Sequence, residues 1–166
     1  MSYEPQIEVR TAQRYAGIRM SVTMASLSGA VDEGFPELFG WLAEHGSTVA
    51  GPPFIRYLVI DMQAELEIEL GVPADVSAVD GGRVLAGTLP GGRYAVLRHK
   101  GPYDGLVASN AALLQWAREH AIALDSWETG HGTAWRSRVE HYLTDPSAEP
   151  DPAKWEVDIA YLTTGA

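Results

Sequence analysis

The 166-residue chain contains no cysteine. Disulfides and thiolate metal sites are therefore excluded, and a bridge-stapled secreted scaffold is not expected. It has no basic run either, and its formal net charge is −10. Phosphate contacts need clustered Lys and Arg, so direct nucleic-acid binding is not expected. No stretch approaches the ~20 apolar residues of a membrane span. The opening MSYEPQIEVR holds no apolar signal core, which makes a cytoplasmic location away from membranes the expectation. Nucleotide loops of the Walker or GxGxxG type, a GxSxG elbow and a HExxH zinc motif are missing as well. His45, His99, His120, His131 and His141 fall at no zinc-ligand spacing, so neither metal nor cofactor is expected.

What is present suits one folded domain, residues 1–166. Hydrophobic residues make up 46%, enough for a core, and charged residues 20%. Ile7–Thr11 alternates as a strand, and Arg14–Met20 forms a second. Ser28–Gly46 reads as a helix with Val31, Phe35, Leu38 and Leu42 on one stripe, broken early by Pro36 so that its firm part starts there. Phe54–Asp61 is a strand. Residues 64–70, AELEIEL, alternate strictly, with Leu66, Ile68 and Leu70 inward and Glu65, Glu67 and Glu69 on a solvated face. After a Gly- and Pro-containing linker, Arg83–Leu89 and Arg93–His99 read as strands and Asp104–His120 as a helix. Ala121–Trp135 reads as an irregular loop, 136–145 as a strand, and Lys154–Thr163 as a last strand, with Glu156 and Asp158 on its solvated side.

The halves repeat one another. RYAGIR (14–19) answers RYAVLR (93–98), Trp41 with Glu44-His45 answers Trp116 with Glu119-His120, Tyr57-Leu58 answers Tyr142-Leu143, and LEIEL (66–70) answers WEVDI (155–159). Four matches in one order indicate an internal duplication. Repeat one covers about 5–72, a linker 73–82, and repeat two about 83–163. Each unit is strand–strand–helix–strand–strand, which predicts an α+β fold of antiparallel sheets related by a pseudo-twofold axis, with a ligand groove between the repeats.

The duplication is asymmetric at one telling place. Tyr57 aligns with Tyr142, but Ile55 aligns with Glu140. In a strand over 136–145, Glu140 and Tyr142 share a face. On its own that pair fits a solvated surface better than a pocket wall, because most strand carboxylates are solvated. In a groove between repeats, a carboxylate among aromatics suits a lipophilic cation, because charge attraction strengthens with desolvation and each aromatic face adds ~0.5–2 kcal/mol of cation–π attraction.

The segments GRYAVLRHKGPY (92–103) and EHYLTDP (140–146), set in a duplicated chain, resemble the GyrI-like small-molecule-binding domain, which is also the effector-binding domain of BmrR- and Rob-type transcription activators. The resemblance spans about residues 5–163, and no helix-turn-helix precedes it here, which implies a stand-alone member. It departs at the last strand, where Tyr161-Leu162-Thr163-Thr164 replaces a Val-Pro-like ending. It implies a small molecule, lipophilic, aromatic and cationic, held between the repeats. Glu140 matches the family's groove glutamate and Tyr142 the neighbouring position. Tyr57, Trp41, Phe39 and Trp155 are the aromatic candidates. It also implies an alternative, since some stand-alone relatives are hydrolases that open the cyclopropane of yatakemycin-type DNA alkylators; Glu140 and Tyr142 would then be catalytic. A protein partner, such as a gyrase subunit or a transcription factor, stays open.

Overall fold

A computed structural model describes residues 4–61, 63–76 and 82–165. The chain forms strands β1 (Gln6–Arg10) and β2 (Gln13–Val22), helix α1 (Leu27–Glu44), β3 (Phe54–Ile60), β4 (Leu66–Pro73), β5 (Leu85–Leu89), β6 (Gly92–Lys100), helix α2 (Leu106–Glu119), β7 (Ser126–Thr129), β8 (Gly132–Trp135), β9 (Arg138–Tyr142) and β10 (Glu156–Leu162). The fold is α+β, as the element pattern predicts. All the strands join one curled antiparallel sheet in the order β1-β6-β10-β9-β3-β4-β2-β5, with β8 added beside β3 and β7 beside β8.

That order reads alike from both ends in terms of the expected repeats. β9 and β3 meet at the centre, β10 and β4 flank them, then β6 and β2, then β1 and β5. This palindrome is consistent with a duplicated unit, with one exchange. The first strand of each unit pairs with the other unit: β1 runs along β6, Gln6 opposite Val96, and β5 runs along β2, Leu89 opposite Gln13.

Several elements differ from their sequence readings. Helix α1 continues through Pro36. Its packing supplies the reason: Gly34, Leu38 and Leu42 are buried on both sides of the proline, and tertiary burial outweighs one missing backbone bond. The buried stripe of α2 is Leu106, Ser109, Leu113 and Ala117. The irregular loop expected over 121–135 contains the β7–β8 hairpin, turned at Gly132 with φ +126. Pro73 belongs to β4 rather than to the linker, and Ala74 bridges to Val49; residues 77–81 of the expected linker lie outside the described residues. Among the described residues, no helix is long and apolar enough to cross a membrane.

Cross-strand register puts both helices on one face of the sheet. Ile18, Leu70, Ile55, Glu140, Ile159 and Leu97 are successive partners across β2, β4, β3, β9, β10 and β6. α1 packs with Ile18 through Leu38 and Leu42, and α2 packs with Leu97 and Ile159 through Leu106 and Leu113. The central strands β3 and β9 thus form the floor between the helices. Five of the six residues in this row are aliphatic and one is a carboxylate.

Candidate functional site

Glu140 sits at the middle of that row, opposite Ile55 on β3 and Ile159 on β10. Ile55 is also its counterpart in the expected repeat alignment, so the two central strands pair residues of opposite character at that place. Glu140 is 5% exposed. A buried carboxylate is costly unless hydrogen-bonded, and three donors meet it. The hydroxyls of Tyr57 and Tyr142 donate to Oε1 at 2.9 and 2.7 Å, and Asn110 Nδ2 donates to Oε2 at 2.9 Å. The repeat-related tyrosines therefore converge on one acid. Burial first, then the Glu140 charge, pushes both phenols well above their ordinary range, so each stays a proton donor.

Asn110 is fixed on every side. Its Nδ2 also donates to Leu106 O at 2.8 Å, while its Oδ1 accepts from the Tyr161 hydroxyl and from Arg138 at 3.4 Å. Arg138, two residues before Glu140, lies over the rings of Trp135 and Tyr161. On the other side, Tyr103 meets Tyr142 edge-on at 5.6 Å and Trp155 at 4.8 Å between centroids.

The sheet's opposite face carries a second buried carboxylate with different company. Glu69, expected on a solvated face, is 3% exposed. It stands between Arg19 and Arg56 across β2, β4 and β3. Arg19 donates to it at 2.9 Å, Arg56 lies at 4.0 Å, and the Tyr15 hydroxyl donates to it. Asp158, on the equivalent strand of the second half, is likewise paired, with Arg98 at 2.7 Å. Long arginine side chains beside these acids let them leave water, which strand alternation alone does not reveal. By contrast, no Lys, Arg or His nitrogen lies within 4.0 Å of Glu140 among the described residues.

The sequence candidates divide accordingly. Glu140, Tyr142 and Tyr57 come together in one hydrogen-bonded group, and Trp155 adjoins it through Tyr103. Trp41 does not join them: it packs on the Ala16–Leu38–Val72 cluster and stacks on His45 at 3.9 Å. Phe39 is 38% exposed on α1. The segment HKGPY is mainly a corner, where His99 contacts Ser109 Oγ at 2.7 Å and Pro102 O at 2.9 Å, but its Tyr103 reaches the site. Asn110, Arg138, Trp135, Tyr161 and Tyr103 escaped the sequence reading. Arg138 was within reach of the strand alternation; Asn110 arrives only through the packing of α2.

The sequence matches the GyrI-like small molecule binding domain over residues 3–161. This chain belongs to the GyrI-like family. Solved structures agree on the fold. The C-terminal domain of EcmrR aligns with a TM-score of 0.75 at 18% identity, covering 99% of each chain. The longer EcmrR chain, seen in a complex with DNA, aligns at 0.79 and 17% identity, over 98% of this chain and 58% of that one. The present chain thus spans little more than half the length of that relative. SAV2435 bound to tetraphenylphosphonium aligns at 0.65 and 12% identity, covering 98% and 95%. A hydrolase from Listeria innocua aligns at 0.64 and 17%, covering 97% and 92%. At such identities the likeness concerns the fold. No curated protein matches the sequence.

Proposed function

We propose that this GyrI-like domain binds a lipophilic, aromatic cation between its two helices, with Glu140 as the charged anchor, for sequestration or sensing in the cytoplasm. The observation that carries the reading is the contrast between two equally buried glutamates. Glu69 is matched by arginine on both sides. Glu140 is held by two phenols and an amide, all neutral donors, so its charge is solvated but not balanced. A delocalised cation seated among the aromatic rings beside Glu140 would balance it. The tetraphenylphosphonium bound to SAV2435 belongs to this chemical class. Equilibrium titration with tetraphenylphosphonium, read by tryptophan fluorescence, tests the proposal. Micromolar binding that weakens at least tenfold in Glu140→Gln, about 1.4 kcal/mol, supports it; equal binding in both proteins refutes it.

A second reading is hydrolytic opening of a cyclopropane-bearing alkylator. It draws on the same group: the Glu140 carboxylate would take a proton from a water whose oxygen bonds to a cyclopropane carbon as the ring C–C bond breaks, the electron pair passing into the conjugated system of the substrate, which a proton then neutralises. Turnover of such a compound, abolished in Glu140→Gln and followed by product analysis, would establish it in place of simple binding.

A further inference from the structure

The sheet between the two helices holds a cation of its own. Arg138 precedes Glu140 by two residues on β9 and shares its face. Its guanidinium carbon lies 4.7 Å from the Trp135 ring and 4.7 Å from the Tyr161 ring. Those rings are 5.3 Å apart and inclined at 45°. The three centres make a nearly equilateral triangle, so the guanidinium occupies the open angle of an aromatic wedge supplied by β8 and β10.

Arginine beside a carboxylate ordinarily closes a direct, often bidentate pair. Arg98 does so with Asp158, at 2.7 and 3.0 Å, on the other face of this sheet. Arg138 does not. It contacts Asn110 Oδ1 at 3.4 Å, while the Nδ2 of that amide donates to Glu140 at 2.9 Å. One asparagine thus stands between base and acid, and the positive charge rests on aromatic faces next to an unbalanced carboxylate. This is the arrangement a lipophilic cation would seek.

We infer that Arg138 is a tethered occupant of an aromatic cation site adjoining Glu140, and that the ligand cation binds by displacing it. The inference rests on the cation-binding reading. It makes Arg138 the residue that sets selectivity. A ligand is bound only by the margin with which its charge and apolar body outdo a guanidinium already in place. Small hydrated cations lack the apolar surface to supply that margin, whereas large delocalised ones have it.

Two measurements test this. In Arg138→Gln, tetraphenylphosphonium should bind about tenfold tighter than in wild type, about 1.4 kcal/mol, while the neutral analogue triphenylphosphine oxide should change by less than twofold. In the wild-type protein, the Arg138 Nε–H resonance, shifted by the two rings when free, should move toward the random-coil position at saturating tetraphenylphosphonium. The second readout needs no variant and stands if Arg138→Gln fails to fold. An unmoved resonance at saturation overturns the inference. So does unchanged affinity in Arg138→Gln alongside weakened affinity in Glu140→Gln, a result that leaves the cation site itself standing. If Glu140→Gln binds like wild type, the binding reading falls and the displacement with it.

Discussion

Replacing Glu140 by glutamine keeps the side chain's shape and removes its charge, and the structure supplies a control in Glu69. Take stability first. In Glu140→Gln the amide oxygen still accepts from Tyr57 and Tyr142, but its nitrogen confronts Asn110 Nδ2, so one hydrogen bond is lost and the others become neutral. Against that loss, ~1 kcal/mol for each weakened bond, stands relief from burying an unbalanced charge, which is several kcal/mol for an isolated ion. The terms oppose one another, and the net change should stay within about 1 kcal/mol. Glu69→Gln differs, because it removes the negative charge that faces Arg56, only 15% exposed, and Arg19, 53% exposed, and sets an amide nitrogen against a donor. With the cost discounted for the exposure of Arg19, destabilisation should be on the order of 2 kcal/mol, or about 4–8 °C in Tm for a chain of this size. Now take binding. A cationic centre about 5 Å from Glu140 at an effective dielectric of ~20 gains about 3 kcal/mol, so Glu140→Gln should lose roughly 10- to 200-fold in tetraphenylphosphonium affinity. Glu69→Gln, on the far face, should lose none. Urea melts and fluorescence titrations on the three proteins read both quantities. The reasoning is refuted if the two variants lose affinity alike, or if Glu140→Gln is destabilised as much as Glu69→Gln.

Other outcomes follow from the same geometry. Tyr57→Phe and Tyr142→Phe each remove one donor from a buried carboxylate and should cost ~1–3 kcal/mol in urea melts; because both donate to one oxygen, the double variant should depart from additivity by 0.5 kcal/mol or more. Both phenols have folded-state values raised above the unfolded ones, so their contribution is complete below about pH 10 and is lost as pH rises further. Absorbance at alkaline pH should accordingly show these two ionising only as the protein unfolds, and early titration of all seven tyrosines would contradict the burial. His141 is pushed down to about 4 by burial, with Arg10 adding to the effect. Its contribution is full above about pH 6.5 and disappears as pH falls toward 4, up to about 3 kcal/mol, so His141→Asn should flatten the acid limb of the stability curve; an unaltered limb would show that another group governs it. In Gly34→Ala the added Cβ would sit 2.3 Å from Leu70 Cδ1, and the forced repacking should cost ~1–3 kcal/mol despite the better helix propensity of alanine.

Strand alternation and the repeated segments made most of the sheet legible in the sequence, because period-two burial and duplication leave traces in the letters. Glu140 and Tyr142 were readable as a pair for that reason, and Tyr57 through its alignment with Tyr142. The fate of Glu69 was not readable. Alternation says which side it faces, but only the register with Arg19 and Arg56 says that this side is covered. Trp41 was misleading as a groove candidate, since its match with Trp116 marks equivalent helix positions and both pack against cores. Asn110 and Tyr161 depend on where α2 lands on β10, a long-range contact that no local pattern encodes. The exchange of β1 and β5 between halves was equally invisible, because each looks like an ordinary neighbour of the strand that follows it.

That exchange bears on how the protein is made. Gln6 must find Val96, so on a ribosome the first strand waits unpaired until about ninety further residues have been synthesised and β6 has left the exit tunnel. Such distant pairing slows folding and leaves an edge open to wrong partners in the interval. It also means that the chain does not divide at its midpoint into two self-sufficient pieces. Each would carry an opening strand belonging to the other, and fragments co-expressed from a cut between the halves would be expected to reassociate by returning those strands rather than to fold apart.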